Sequence, residues 1–284
     1  MSHTTVDSIL SATAYNRLII DHKATECAEF LELKRKHLPT LFQILAAHGV
    51  TEFVEPHLLH RHFLLREGEA VVHRTLEVPG PKENASICVD IAKAMSCPES
   101  IKSSLVPLLW MASSNGTLIA YEYGLREWAK SPKQAIANIS SQTWNSFAQE
   151  FAIYVHSAGV ADIVSLKDKS CVNGGEYVVS DMRVLFRVPT EVISLQPGSG
   201  MLESGWKLDT AVESDANFPE CTDGHLTKTR ETTGGTVAHY HKTTEDGVDA
   251  FNPKEVPLPC TNAMWAAAKS DNFWVMDNMV NSAA

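Results

Sequence analysis

Twelve histidines occur in the chain, and two pairs have the spacing that can bring imidazoles together: His60-Arg61-His62 and His239-Tyr240-His241. On a strand, residues i and i+2 point to the same side, so each pair can offer two nitrogen ligands to one ion. The run from His57 to Leu65 and the run from Glu69 to Val78 read as strands, and Glu67-Gly68 between them predicts a hairpin. In that register His62 stands opposite His73 and His60 opposite Thr75, with Leu59, Phe63, Ala70 and Val72 on the other face. His60, His62 and His73 then make a three-imidazole site with an open fourth position, suited to lowering the pKa of bound water or polarising a carbonyl. Glu67 or Glu122 is the expected proton shuttle, Glu122 by way of a buried carboxyl with a raised pKa.

A second set of ligands surrounds the other pair. Cys221, His225, His239 and His241 supply one thiolate and three imidazoles in a segment with few apolar residues, with Cys260 as a substitute ligand. Four protein ligands close a zinc shell, so this set points to structural zinc. Trp110, Tyr121, Tyr123 and Trp144 are the aromatic residues expected to wall a substrate pocket. Nucleophilic and nucleotide chemistry find no support: the chain has no Gly-x-Ser-x-Gly elbow and no phosphate-cradling Gly-x-x-x-x-Gly-Lys loop. Its six cysteines form no Cys-x-x-Cys pair.

Two resemblances bear on these residues. The segment His239-Tyr240-His241, followed by Glu245, resembles the first half of the cupin metal motif, in which two His and one Glu bind a divalent metal inside a β-barrel. His60-x-His62, followed by Glu67, is similar to it as well. Neither copy carries the Gly that should follow the Glu, and the second half of the motif is absent. The segments Leu58-Leu59-His60-Arg61-His62-Phe63 and Val106-Pro107-Leu108-Leu109-Trp110, the latter with Tyr121-Glu122-Tyr123, resemble a group of hypothetical proteins of filamentous fungi. That likeness implies a fungal setting and no particular chemistry.

The elements that must position these side chains follow from periodicity. Residues 24 to 48 predict two helices, from Phe30, Leu31 and Leu33 and then Leu41, Phe42, Ile44 and Leu45, with Pro39 near the start of the second and Gly49 as its stop. Leu105 to Ala112 and Thr117 to Tyr123 bracket Ser113-Ser114-Asn115-Gly116 and predict a second hairpin. A long helix is expected over residues 133 to 158, its apolar face carrying Ile136, Ile139, Trp144, Phe147, Phe151 and Tyr154, with Gly159 ending it. Short strands follow at Asp162 to Leu166, Glu176 to Val179, Met182 to Val188 and Gly205 to Leu208. Residues 194 to 224, rich in Gly, Pro and acidic side chains, read as irregular surface, and Asn262 to Lys269 as a last helix.

Element order favours an α+β fold: a mainly antiparallel sheet built from hairpins, with N-terminal helices and one long central helix packed against it. The expected organisation is an N-terminal arm (1–23), a core (24–193), a loop-rich segment (194–260) and a C-terminal helix and tail (261–284). A net charge of −10 from 24 basic and 34 acidic residues argues against nucleic acid as a partner. No apolar run approaches the ~20 residues of a membrane span, and no leader pattern precedes the first helix, so a cytoplasmic protein without a membrane partner is expected. The functional expectation is a metal-assisted enzyme acting on a small molecule by hydrolytic or lyase/isomerase-type Lewis-acid chemistry, with a divalent metal, zinc first. Two alternatives stand beside it: a metal-free enzyme or binding protein with an aromatic pocket, and a non-enzymatic interaction protein holding structural zinc.

Overall fold

Apolar residues at helical spacing build one layer of the molecule, and strands that alternate apolar with polar residues build the other. The computed structural model describes residues 9–79, 86–125, 139–171, 174–179, 183–189, 201–206, 225–228, 230–232, 236–238 and 266–267. The helices are α1 (Ala12–Tyr15), α2 (Asp21–Phe30), α3 (Leu33–Lys36), α4 (Leu38–Ala47), α5 (Glu99–Lys102) and α6 (Ser141–Ser157). Pro39 sits in the first turn of α4, where its missing N–H costs nothing. Ser140 caps α6 by accepting the Thr143 N–H at 3.0 Å. Gly49 and Gly159, just past α4 and α6, adopt φ of +66° and +71°, the left-handed stop that glycine tolerates. No helix among the described residues is long and apolar enough to cross a membrane.

The strands are β1 (Val54–Leu58), β2 (Glu69–Pro79), β3 (Ser86–Ser96), β4 (Leu105–Ala112), β5 (Leu118–Leu125), β6 (Val164–Asp168), β7 (Gly174–Val179), β8 (Val184–Pro189), β9 (Met201–Gly205) and β10 (His225–Lys228). They close into a barrel in the order β1-β6-β4-β5-β2-β3-β8-β7-β10-β9, and a separate two-stranded sheet pairs β11 (Arg230–Thr232) with β12 (Thr236–Ala238). The pairings are antiparallel except for β2 with β5 and β7 with β10. The α+β class and the mainly antiparallel sheet are as expected from sequence; closure is the new element. β9 and β10, from the segment read as loop-rich, complete the ring. Closure itself is narrow, with β1 and β9 meeting at His57 opposite Gly205.

The hairpin about Glu67-Gly68 does not form. β1 ends at Leu58 and pairs with β6 and β9, whereas β2 pairs with β3 and β5. Residues 59–66 belong to no strand, so His62 is not a ladder neighbour of His73, and Phe63 and Leu59 do not share a strand face with Ala70 and Val72. Tertiary pairing has overridden the local turn signal. β3, which the sequence reading passed over, is the true partner of β2 and runs in register from Glu69 opposite Ser96 to Pro79 opposite Ser86. The β4–β5 hairpin forms as expected, turning at Gly116 with φ +86°. It carries register shifts on either side of Leu109.

Helices α2, α4 and α6 cover the outer face of β1, β4 and β6. One apolar cluster joins Leu41, Leu45, Phe147 and Phe151 to Val54, Leu58, Val164, Leu166 and Trp110. A smaller outer cluster gathers Ala70, Val72, Leu105, Tyr123 and Leu125 beside Ile101 of α5. A third occupies the barrel interior, where Leu59, Phe63, Val71, Ala92, Leu109, Tyr121 and Leu185 meet Ala12 and Tyr15 of α1. Residues 9–20, part of the expected arm, thus pack on one end of the barrel.

Candidate metal centre

Strand alternation sets the interior chemistry. On β1 and β6 the residues between the outward-facing Val54, Leu58, Val164 and Leu166 are Glu55, His57, Ser165 and Lys167, all buried. From the other strands, β2 contributes His73, β3 Asp90, β5 Glu122, β7 Glu176 and β8 Arg187, likewise buried. On β5 the register passes from Glu122 opposite Leu109 to Ala120 opposite Trp110, leaving Tyr121 as the extra residue of a bulge. A bulge re-aims side chains, and Tyr121 and Glu122, although adjacent, both serve the interior. The Tyr121 hydroxyl donates to Ser165 Oγ at 3.1 Å, and Ser165 Oγ donates to the His57 carbonyl at 3.0 Å.

Two further imidazoles arrive from the irregular segment 59–66. The rings of His57 and His60 stack at 5.4 Å between centroids, and His60 meets His62 edge-on at 4.7 Å. His57 Nδ1 and His60 Nδ1 lie 2.7 and 2.9 Å from the Leu58 carbonyl oxygen. A carbonyl only accepts, so each ring carries a proton on Nδ1. His60 Nε2 faces Glu176 Oε2 at 3.7 Å, and His62 Nε2 lies 4.0 Å from Glu176 Oε1. The ligand atoms of His60, His62 and Glu176 all fall within 4.8 Å of one another, so this buried group could hold a metal ion.

Electrostatics prepare each member. Burial pulls the His62 imidazole down to a pKa of about 4 against the opposing pull of Glu176 and Glu122, which keeps it neutral and able to ligate. Among the described residues, neither of its ring nitrogens has a hydrogen-bond partner. Arg187 grips Glu176 Oε1 with Nε at 3.0 Å and Nη2 at 2.6 Å, fixing the carboxylate so that Oε2 faces His60. Arg187 Nη1 also lies 3.8 Å from Asp90 Oδ2, which accepts a Thr75 hydroxyl at Oδ1.

Glu122 stands on the other side of His62, with Oε1 3.5 Å from His62 Nε2 and Oε2 2.7 Å from His73 Nε2. Burial raises its carboxyl pKa, but the neighbouring His62 imidazole, the hydrogen bond from His73 and the Arg187 guanidinium outweigh it, and the net shift is downward. The raised pKa expected for this residue is therefore corrected: Glu122 is buried as a carboxylate, a base or ligand in character.

The structure redistributes the residues singled out from sequence. His60, His62 and His73 converge on one interior, by a loop and a strand instead of a hairpin. Glu67 is exposed in a turn, remote in role from the interior carboxylates Glu122 and Glu176. Trp110 and Trp144 pack edge to face at 5.6 Å in the outer helix-facing core, and Tyr123 belongs to the other outer cluster. Of the four aromatic residues expected to wall one pocket, only Tyr121 is interior. Cys221, His239, His241 and Cys260 lie outside the described residues, and of His225 only its backbone place, opening β10, is described.

Sequence reading missed Glu176 and Arg187. Their signal was a charged residue at the edge of or inside an apolar strand run, Glu176 before Tyr177-Val178-Val179 and Arg187 within Leu185-Phe186-Arg187-Val188. No protein-family model matches the chain, and neither curated proteins nor solved structures give a match. The functional reading accordingly rests on the interior geometry.

Proposed function

We propose that the chain is a metal-dependent enzyme acting on a small molecule, with one divalent ion held by His60, His62 and Glu176. The observation that carries this reading is His62: a fully buried, neutral imidazole whose two ring nitrogens lack hydrogen bonds among the described residues, set between two carboxylates from different strands. Buried polar atoms without partners cost about 1–3 kcal/mol each, and a coordinated ion removes that cost for the nitrogen it takes. Charge points the same way. Among the described interior residues, Glu55, Asp90, Glu122 and Glu176 face two side-chain cations, Lys167 and Arg187, an imbalance that a dication offsets.

When bound, such an ion supplies Lewis acidity, polarising a substrate oxygen or acidifying a water. The chain's own residues then divide the remaining work. Glu122 is placed to accept a proton, with His73 at 2.7 Å to orient the carboxylate and stabilise its charge. Arg187 fixes Glu176, and the Leu58 carbonyl fixes His60, as partners of ligands do in metal sites. Two imidazoles with one carboxylate suit zinc, iron(II) or manganese, and zinc is the first choice for hydrolytic or lyase/isomerase-type chemistry.

Metal analysis of untagged protein tests the proposal. The expected result is one divalent ion per chain, with an anomalous-scattering peak between His60, His62 and Glu176, and its loss in His62→Ala and Glu176→Gln. Metal-free wild-type protein that takes up no zinc, iron(II) or manganese would overturn it.

A further inference from the structure

Two of the three ligands of the proposed centre sit on residues 59–66, a segment outside the barrel ladders, and the backbone hydrogen bonds that a strand would satisfy there must come from elsewhere. They come largely from the N-terminal residues 15–20. The Arg61 N–H donates to the Ile19 carbonyl at 2.9 Å, and Ile20 forms a parallel bridge with Arg61. Arg61 Nε donates to the Leu18 carbonyl at 3.1 Å. The His62 N–H donates to the Tyr15 hydroxyl at 3.4 Å. Asn16 clasps Leu65 from both sides, Oδ1 accepting its N–H and Nδ2 donating to its carbonyl, each at 2.8 Å. At its two ends the segment bonds the barrel, the Leu59 N–H donating to the Ile163 carbonyl, and the Arg66 N–H and carbonyl pairing with the Glu69 side chain and N–H.

The strap is itself tied down. Tyr15 is buried in the interior apolar cluster with Leu59 and Phe63, and the Leu10 N–H donates to the Tyr123 hydroxyl at 3.0 Å. Asn16 matches the geometry of one missing β-strand residue, since an amide side chain presents one acceptor and one donor as a peptide does.

We infer that residues 10–20 form a strap that builds the metal-binding loop, with Tyr15 and Asn16 as positioning residues for the ligands His60 and His62. The inference rests on the metal reading above for its functional meaning. The strap's hydrogen bonds to Arg61, His62 and Leu65 hold the backbone from which the rings project. Loss of a group that orients a ligand commonly weakens metal affinity 10- to 100-fold, the size expected here.

The test uses the full chain, stripped of metal, with zinc itself as the titrant and cobalt(II) absorption as the report on ligand geometry. Asn16→Ala is expected to bind zinc about 10- to 100-fold more weakly than wild type and to show an altered cobalt spectrum. Asn16→Asp keeps the acceptor and loses the donor, so it should recover part of the affinity. Tyr15→Phe preserves the packed ring and removes only the hydroxyl, which keeps the test decisive should Asn16→Ala fold poorly. Hydrogen exchange on the metal-free proteins is the second readout: the amides of Arg61, His62 and Leu65 should exchange faster in Asn16→Ala, with the β2–β3 ladder unchanged. Zinc affinity and loop exchange equal to wild type in both Asn16→Ala and Tyr15→Phe would overturn the strap. Wild-type protein that binds no metal would sink the metal reading instead, with the exchange measurement still deciding the strap.

Discussion

The two faces of β1 and β6 are equally buried and chemically opposite. Outward, Val54, Leu58, Val164 and Leu166 enter an apolar core with α4 and α6; inward, Glu55, His57, Ser165 and Lys167 line the barrel. A strand buried on both faces usually reads as a continuous apolar run. Here the period of 2 survives complete burial, because the inner face is built for chemistry and the outer one for stability. The inner face is costly to maintain: each ion there loses its hydration and must recover it from a partner, as Lys167 does from Glu55 at 2.9 Å.

Substitutions can break this contrast, the largest effects coming first. Phe147→Ala, in the outer core, is expected to cost about 3–5 kcal/mol, measured by chemical denaturation, with zinc affinity of the surviving folded protein unchanged. Phe63→Ala should cost about as much, because Phe63 packs in the interior apolar cluster. Lys167→Met should also cost about 3–5 kcal/mol by stranding Glu55, whereas Lys167→Met combined with Glu55→Leu should recover most of it. A double variant as unstable as the single one would show that the pair does more than balance charge.

Acidification should sharpen the contrast on the inner side. His62 has a folded pKa of about 4 against an ordinary 6.5, so between those values the unfolded chain binds the extra proton. Stability of the metal-free protein therefore falls as pH drops from about 6.5 to about 4, by about 3 kcal/mol from this residue alone. Glu122, with its pKa lowered, adds a loss in the same direction at still lower pH. Urea midpoints across this range, for wild type and His62→Gln, measure it; identical pH slopes would mean that His62 carries no such penalty. The smallest effect belongs to Glu67→Gln, exposed in its turn, at no more than about 0.5 kcal/mol and with zinc binding intact.

The sequence carried the local part of this architecture well. Helices α4 and α6 were legible because their apolar residues recur at helical spacing and end on Gly49 and Gly159. The β4–β5 hairpin was legible because Asn115-Gly116 favours a tight turn whatever surrounds it. What was not legible was pairing at a distance. Glu67-Gly68 turns the chain into β2, but the segment before it is held by the N-terminus, and no local pattern encodes that choice. The histidines were found by type and spacing, while Glu176 and Arg187 reach the same interior from over a hundred residues away. A lone charge in an apolar strand hints at such a role without saying what it faces.

The barrel closes where β1 meets β9, and Pro56 stands beside that junction. The Pro56 carbonyl accepts the Trp206 N–H at 3.1 Å, so this residue's missing N–H also lies on the β9 side, and the ladder is one donor short there. Mechanically, the ring has a seam: opening between β1 and β9 breaks fewer ladder hydrogen bonds than separating β2 from β3, which are paired over eleven residues. Breathing of the wall is thus directed to one side, next to His57. Trp206, buried at that joint, is a built-in optical probe, and its emission should shift to the red when the seam parts before the rest of the fold.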